Sequence, residues 1–134
     1  MSVAEYPFKP GLANVVVAQR ESHTGVCKAI VFCQMSLVAF DENGELLFEI
    51  PTSQVNAFGW CYIGEKLYIV VAYSNELVLN LVEESKLVAL KSLPINYLVK
   101  KLITYTHEGN NYCAVAGIGG VQAYLINNNT LVSI

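Results

Sequence analysis

Two histidines, four cysteines and eleven acidic side chains are the residues of this 134-residue chain that could support acid–base, nucleophilic or metal chemistry. Catalysis needs several such groups to converge on one reacting atom, and their spacing gives little sign of it. His23 stands in Glu21-Ser22-His23-Thr24-Gly25 and His107 in Thr106-His107-Glu108-Gly109, both polar and turn-like, which reads as solvated loop histidines. No third ligand follows either at a metal-site spacing. Asp41 is the only aspartate, and the glutamates are scattered through turn-like stretches, with Glu83-Glu84 at a solvated tip. Cys27, Cys33, Cys61 and Cys113 form no Cys-x-x-Cys pair. Each lies in an apolar run, where a free cysteine behaves as a small hydrophobe. Buried, reduced thiols point to a reducing compartment, cytoplasmic or nuclear.

Recognisable sequence motifs are equally sparse. A nucleophile elbow and a phosphate loop ending in Lys are both missing. Gly117-Ile118-Gly119-Gly120 imitates a phosphate loop, but no helix follows to offer its N-terminal amides. Asn128-Asn129-Thr130 matches a glycosylation acceptor, yet three consecutive asparagines read more simply as a tight turn. The expectation is a protein that is not an enzyme, with no catalytic, metal or cofactor-binding residues and no cofactor.

Bulk properties narrow the partners. The chain is 54% hydrophobic and 14% charged, with a net charge of −3 and a mean hydropathy of +0.42. Lys100-Lys101 is the only adjacent basic pair, too little to neutralise a row of phosphates, so nucleic acid is not expected. The longest apolar run, Leu67 to Tyr73, is far short of the roughly 20 residues of a membrane span. Glu5, Tyr6, Pro7 and Lys9 interrupt any leader-like stretch. High apolarity without a span reads as a soluble protein that buries surface against a partner.

The elements that must position these residues repeat. LVAFDENGELLFEI, LVLNLVEESKLVAL and VQAYLINNNTLVSI align without gaps and end at residues 50, 90 and 134, spacings of 40 and 44. Each is an apolar strand, a polar turn and a second apolar strand. The turns are Glu42-Asn43-Gly44, Glu83-Glu84-Ser85 and Asn127-Asn128-Asn129, in which Asn and Gly accept the positive φ of tight hairpins. A further strand pair precedes each hairpin: 14–21 and 27–33, 55–62 and 66–73, 99–106 and 112–119. The last two pairs are joined by Ile63-Gly64-Glu65 and by His107-Glu108-Gly109-Asn110-Asn111. Val, Ile, Tyr and Phe dominate these runs, and no helical periodicity persists over twelve positions. The chain reads as all-β, about twelve strands in three four-stranded antiparallel units.

Residues 55–94 resemble a WD repeat in order and spacing. A first strand ends in Trp60, a turn at Gly64 leads to an apolar strand, and Ser74-Asn75-Glu76 precedes the final hairpin. The stretch 112–126 repeats that logic around Gly119-Gly120. The chain is thus similar to WD-repeat-type β-propellers over roughly residues 12–134, as a single domain with blades at about 12–51, 52–94 and 95–134. The Trp-Asp pair is replaced by Phe40-Asp41, Asn80-Leu81 and Tyr124-Leu125, and the Gly-His pair is absent. These are degenerate blades, and the family's buried His-Asp-Ser/Thr network is not carried over.

The resemblance implies an incomplete propeller, because three blades do not close a ring of four to eight. Two copies could pair about a two-fold axis into a six-bladed ring, another protein could supply the missing blades, or the chain could be the N-terminal piece of a longer propeller. The implied function is a non-catalytic protein-interaction scaffold or complex subunit. It would act through turns that share one rim: Gln34-Met35-Ser36, Ser74-Asn75-Glu76 and Ile118-Gly119-Gly120. The alternative is a small-ligand- or carbohydrate-binding, lectin-like propeller formed by oligomerisation and using Trp60 and the tyrosines. Tyr68 and Tyr73 fall in strand runs, however, where aromatics usually pack across strands. His23 and His107 occupy the same turn of two repeats and would share a face. A PH-like barrel needs a C-terminal helix where residues 112–134 read as strands.

Overall fold

A computed structural model describes residues 16–19, 25–33, 35–127 and 129–134, with only the backbone described at 16–19 and at Cys33. His23, Gln34 and Asn128 lie outside the described residues. Among the described residues there are twelve strands and no helix, as the all-β reading expects. Each strand pairs antiparallel with the next, giving three four-stranded sheets: β1-β2-β3-β4, β5-β6-β7-β8 and β9-β10-β11-β12. The chain divides into two compact units, Met1–Gln54 and Val55–Ile134.

The first unit holds β1 (Val16–Gln19), β2 (Ala29–Cys33), β3 (Ser36–Phe40) and β4 (Leu46–Pro51). Ile30 and Phe32 on β2 stand opposite Ala39 and Leu37 on β3, and all four are fully buried. The β3–β4 turn is built by Asp41, whose Oδ1 accepts hydrogen bonds from Asn43 N and Glu45 N, both at 2.9 Å. An aspartate at this position satisfies two turn amides that no strand partner can reach.

The second unit stacks two sheets. One contains β5 (Ala57–Ile63), β6 (Lys66–Ala72), β7 (Glu76–Glu83) and β8 (Lys86–Pro94); the other contains β9 (Val99–His107), β10 (Asn110–Gly117), β11 (Gly120–Asn127) and β12 (Thr130–Ser133). The sheets pack with β5 against β9 and β8 against β12. Their shared core joins Cys61, Tyr68, Val70, Leu79 and Leu81 to Leu102, Cys113, Val115, Tyr124 and Ile126. Strand alternation puts these residues on facing sides.

Pairing in the two sheets is related by a constant offset of 44 residues. Cys61↔Tyr68↔Leu81↔Val88 becomes Tyr105↔Tyr112↔Leu125↔Val132. The first sheet departs from this register. Its β3–β4 turn spans 41–45 between Phe40 and Leu46, whereas in the other two hairpins Glu83 pairs with Lys86 and Asn127 with Thr130. The gapless sequence alignment therefore holds for the third strand of each unit but not for the fourth of the first. The five-residue β9–β10 turn read from sequence also tightens: His107 pairs with Asn110, leaving only Glu108 (φ 50°) and Gly109 (φ 79°). Positive φ at both central residues makes it a type I′ turn, whose twist matches the flanking strands. His107 is thus the last residue of β9 and not a loop residue.

Close stacking rests on Gly59 in β5. A Cβ there would lie 2.6 Å from Leu102 Cδ2 and 3.0 Å from Thr104 Cγ2 on β9. Beside it, Thr104 Oγ1 donates a 2.6 Å hydrogen bond to the Trp60 carbonyl, tying one sheet to the other. We expect Gly59→Ala to destabilise the protein by about 1–3 kcal/mol through overpacking. Leu102→Ala, which opens that space, should make the double substitution less costly than the sum of the singles. Urea unfolding followed by the fluorescence of Trp60, the one tryptophan, measures this, and strict additivity would refute the contact. The β7–β8 turn offers a gain instead. Glu84 and Ser85 hold φ of 50° and 60°, so Glu84→Asn with Ser85→Gly should raise stability by about 0.5–1 kcal/mol and lift the Tm in a thermal melt.

Candidate functional site

Two of the three rim turns lie in the second unit, and the topology brings them to one end. The β6–β7 turn closes with Tyr73 N donating to Glu76 O at 2.9 Å, leaving Ser74 and Asn75 exposed. The Asn75 carbonyl accepts Ile95 N at 3.0 Å, and the Glu76 carboxylate accepts the Ser92 hydroxyl. The β10–β11 turn holds Ile118 and Gly119 between paired Gly117 and Gly120. Pro94 pairs with Glu76 and Val99 with Gly117. Four residues, 95–98, separate those strands, a reach of roughly 13 Å. This linker therefore runs from one turn to the other.

Gly117 permits the junction, since a Cβ there would stand 2.5 Å from the Leu98 carbonyl oxygen and 3.0 Å from Tyr97 Cδ2. Between linker and turn lies an open groove of about 420 Å³, lined by Asn96, Tyr97 and residues 118–122. Its polar side chains are those of Asn96, Tyr97 and Gln122, and Gln122 Nε2 is committed to Ser133 Oγ at 2.6 Å. Ile118 is 75% exposed at the lip. Such a groove offers hydrogen bonds and apolar contact, and no carboxylate, imidazole, thiol or ammonium group lines it. The linker residues Asn96 and Tyr97 escaped sequence reasoning; Pro94, which cannot continue a ladder as donor, was the signal that the strand ends there.

The third rim turn belongs to the first unit. Gln34 is outside the described residues, Met35 is exposed, and Ser36 opens β3 with its hydroxyl 3.2 Å from Glu49 Oε2. The Met35 carbonyl accepts Thr52 N at 2.8 Å.

The remaining chemistry is dispersed or buried. His107 Nε2 stands 3.7 Å from Glu108 Oε1 at an exposed tip, where water screens the contact. Among the described residues, no three His, Cys, Asp or Glu side chains converge to hold a metal. Nor is any helix there long and apolar enough to cross a membrane. Trp60 is fully buried and packs edge-on against Tyr62 at 6.3 Å. Tyr68 stands between Cys61 and Leu81 in the core, with its hydroxyl 3.1 Å from Asn129 Oδ1. These aromatics pack the interior. At the positions where the resemblance would place the Trp-Asp tryptophan, Tyr124 joins the core, and Asn80 is buried and donates to the carbonyls of Ile69 and Val78, each at 3.2 Å. Gly117–Gly120 frames a hairpin, with a strand following where a phosphate loop needs a helix.

Cys27, Cys61 and Cys113 are buried thiols outside any disulfide. Burial pushes the Cys113 thiol up to about 12, with Cys61 adding to the rise. Burial likewise raises Cys27 to about 11, against the opposing hydrogen bonds of the Ala29 and Phe40 backbone and the Lys28 charge. A thiol is nucleophilic as thiolate, so iodoacetamide at pH 8 should leave Cys27 and Cys113 unlabelled until denaturant is added, as read by intact mass. The same rise has a sign for stability. Cys113 contributes fully below its ordinary value of 9.0, and that contribution is lost as pH rises through about 12.

No protein-family profile and no curated protein matches this chain. Among solved structures it is similar to a Kuenenia stuttgartiensis hydrazine synthase chain, with a TM-score of 0.62 and 12% identity. The match covers 97% of this chain and 38% of that one, so this chain spans well under half of its neighbour. At that identity the likeness is one of fold alone.

Proposed function

We propose that the chain is a non-catalytic protein-interaction module built from WD-repeat-like propeller blades, a scaffold or complex subunit. The observation that carries this is the pair of stacked sheets in constant register, with the turns Ser74-Asn75-Glu76 and Ile118-Gly119-Gly120 at one end. Rigid stacked strands hold such turns at fixed separation, a common basis for docking. The side chains of that end, Ser, Asn, Glu and an exposed Ile, suit a protein surface of mixed polarity. Buried, unreactive thiols support an intracellular, reducing location, cytoplasmic or nuclear. The neighbour's name describes an enzyme, but at 12% identity it brings no chemistry to this chain.

Partners are proteins, either another chain or a second copy of this one. Tagged protein recovered from its native cells should retain a partner at fixed stoichiometry through gel filtration. Ser74→Arg with Ile118→Asp should weaken that partner at least tenfold while leaving the melting temperature unchanged. A carbohydrate that stabilises the purified chain, with no protein partner retained, would instead establish a lectin.

A further inference from the structure

The third sheet has one face covered and one bare, and the offset of 44 shows what the bare face corresponds to. Tyr112, Ala114 and Ala116 on β10 stand where Tyr68, Val70 and Ala72 stand on β6; Val121, Ala123 and Leu125 on β11 stand where Leu77, Leu79 and Leu81 stand on β7. All six residues of the second sheet are buried beneath the third. None of their six equivalents is buried, and Val121 is 75% exposed. The face has the composition of a packed interface without its cover.

Its relief is that of a groove. Ala123 and Ala114 pair side by side, with Ile103 opposite Ala114 on β9 and Ile134 bonded through its amide to the Ala123 carbonyl. Two exposed isoleucines thus wall an alanine floor, and stacked Tyr105 and Tyr112, ring centroids 5.2 Å apart, close one end. Lys101 is the one Lys, Arg, Asp or Glu that strand alternation places on this face. Val121, Ile134, Ile103 and Val132, which pairs with Leu125, are 75%, 65%, 50% and 44% exposed on this face, and contiguous exposed apolar surface of this kind marks an interaction site.

We infer that this face is a self-association surface that receives the first sheet of a second copy of this chain. The inference rests on the propeller-like reading above and names the partner for one face. The occupant must be a four-stranded sheet whose face repeats the one that β10 and β11 turn toward the second sheet, Cys113, Val115 and Tyr124. Pairing places Ile69, Val71 and Asn80 at those positions in the second sheet and Ala29, Val31 and Phe40 in the first. Ala29, Val31 and Phe40 are only partly buried. They are small, β-branched and aromatic, and carry no charge. Each copy therefore presents both halves of a head-to-tail contact, which yields a closed dimer if the rotation closes.

Native mass of the purified full chain by light scattering tests this. A dimer of the 14.7 kDa chain is expected, with Ala114→Arg and Val31→Arg each reducing it to monomer. Because each variant spoils a different half, an equimolar mixture of the two should recover dimer through the one intact contact. Circular dichroism melts confirm folding, and Val121→Glu, at an exposed position, replaces Ala114→Arg if that variant is unfolded. A monomeric wild type, a dimer indifferent to both faces, or a mixture that stays monomeric would overturn the inference. Any of these would leave partner binding at the turns intact, so the two readings fail separately.

Discussion

A four-stranded β-sheet that is apolar on both faces has no stable existence in water by itself. The second sheet is the extreme case. Ala57, Val70 and Leu79 on one face and Phe58, Ile69 and Val71 on the other are all essentially inaccessible to solvent. Burying a side chain of this size contributes roughly 1.5–3 kcal/mol, so the two faces outweigh any single hydrogen bond in the unit. The need to cover both faces accounts for the positive mean hydropathy and for the bare face of the third sheet.

Stacking at this closeness makes local demands, and the sequence meets them at a few positions. Gly59 lets β9 approach, and Thr104 then reaches the Trp60 carbonyl; a bulkier residue at either place would separate the sheets along the line where they are nearest. Polar groups are pushed to the ends and the outer strand. β8 carries Lys86, Lys91 and Ser92 in exposed positions, a charged edge that discourages pairing with another chain. Asn80 is the buried polar side chain among the described residues, tolerated because two backbone carbonyls accept its amide. Titratable groups follow the same sorting, carboxylates and His107 at tips and thiols in the core.

Much of this was legible in the one-dimensional pattern. Alternation and β-branched content identified the strands because a pleated ladder selects those residues locally. Asn, Gly and Ser marked the turns because positive φ is a property of single residues. Sequence reading failed where pairing between strands decides. His107-Glu108-Gly109-Asn110-Asn111 looks like a five-residue loop, yet the ladder extends to Asn110 and leaves two residues to turn. Likewise the Asp41 turn is longer than its counterparts, a difference hidden by a gapless alignment.

The sequence by itself determined the strands, their grouping into fours, the repeat and the absence of a recognisable catalytic motif, because each depends on residue type and near-neighbour spacing. Tertiary structure decided the rest. It made Trp60 and Tyr68 core residues, drew Asn96 and Tyr97 between two turns, and separated the covered face of the third sheet from the bare one. Those outcomes depend on which sheet lies against which face, and residues 44 positions apart with the same local pattern differ only in whether a neighbour covers them.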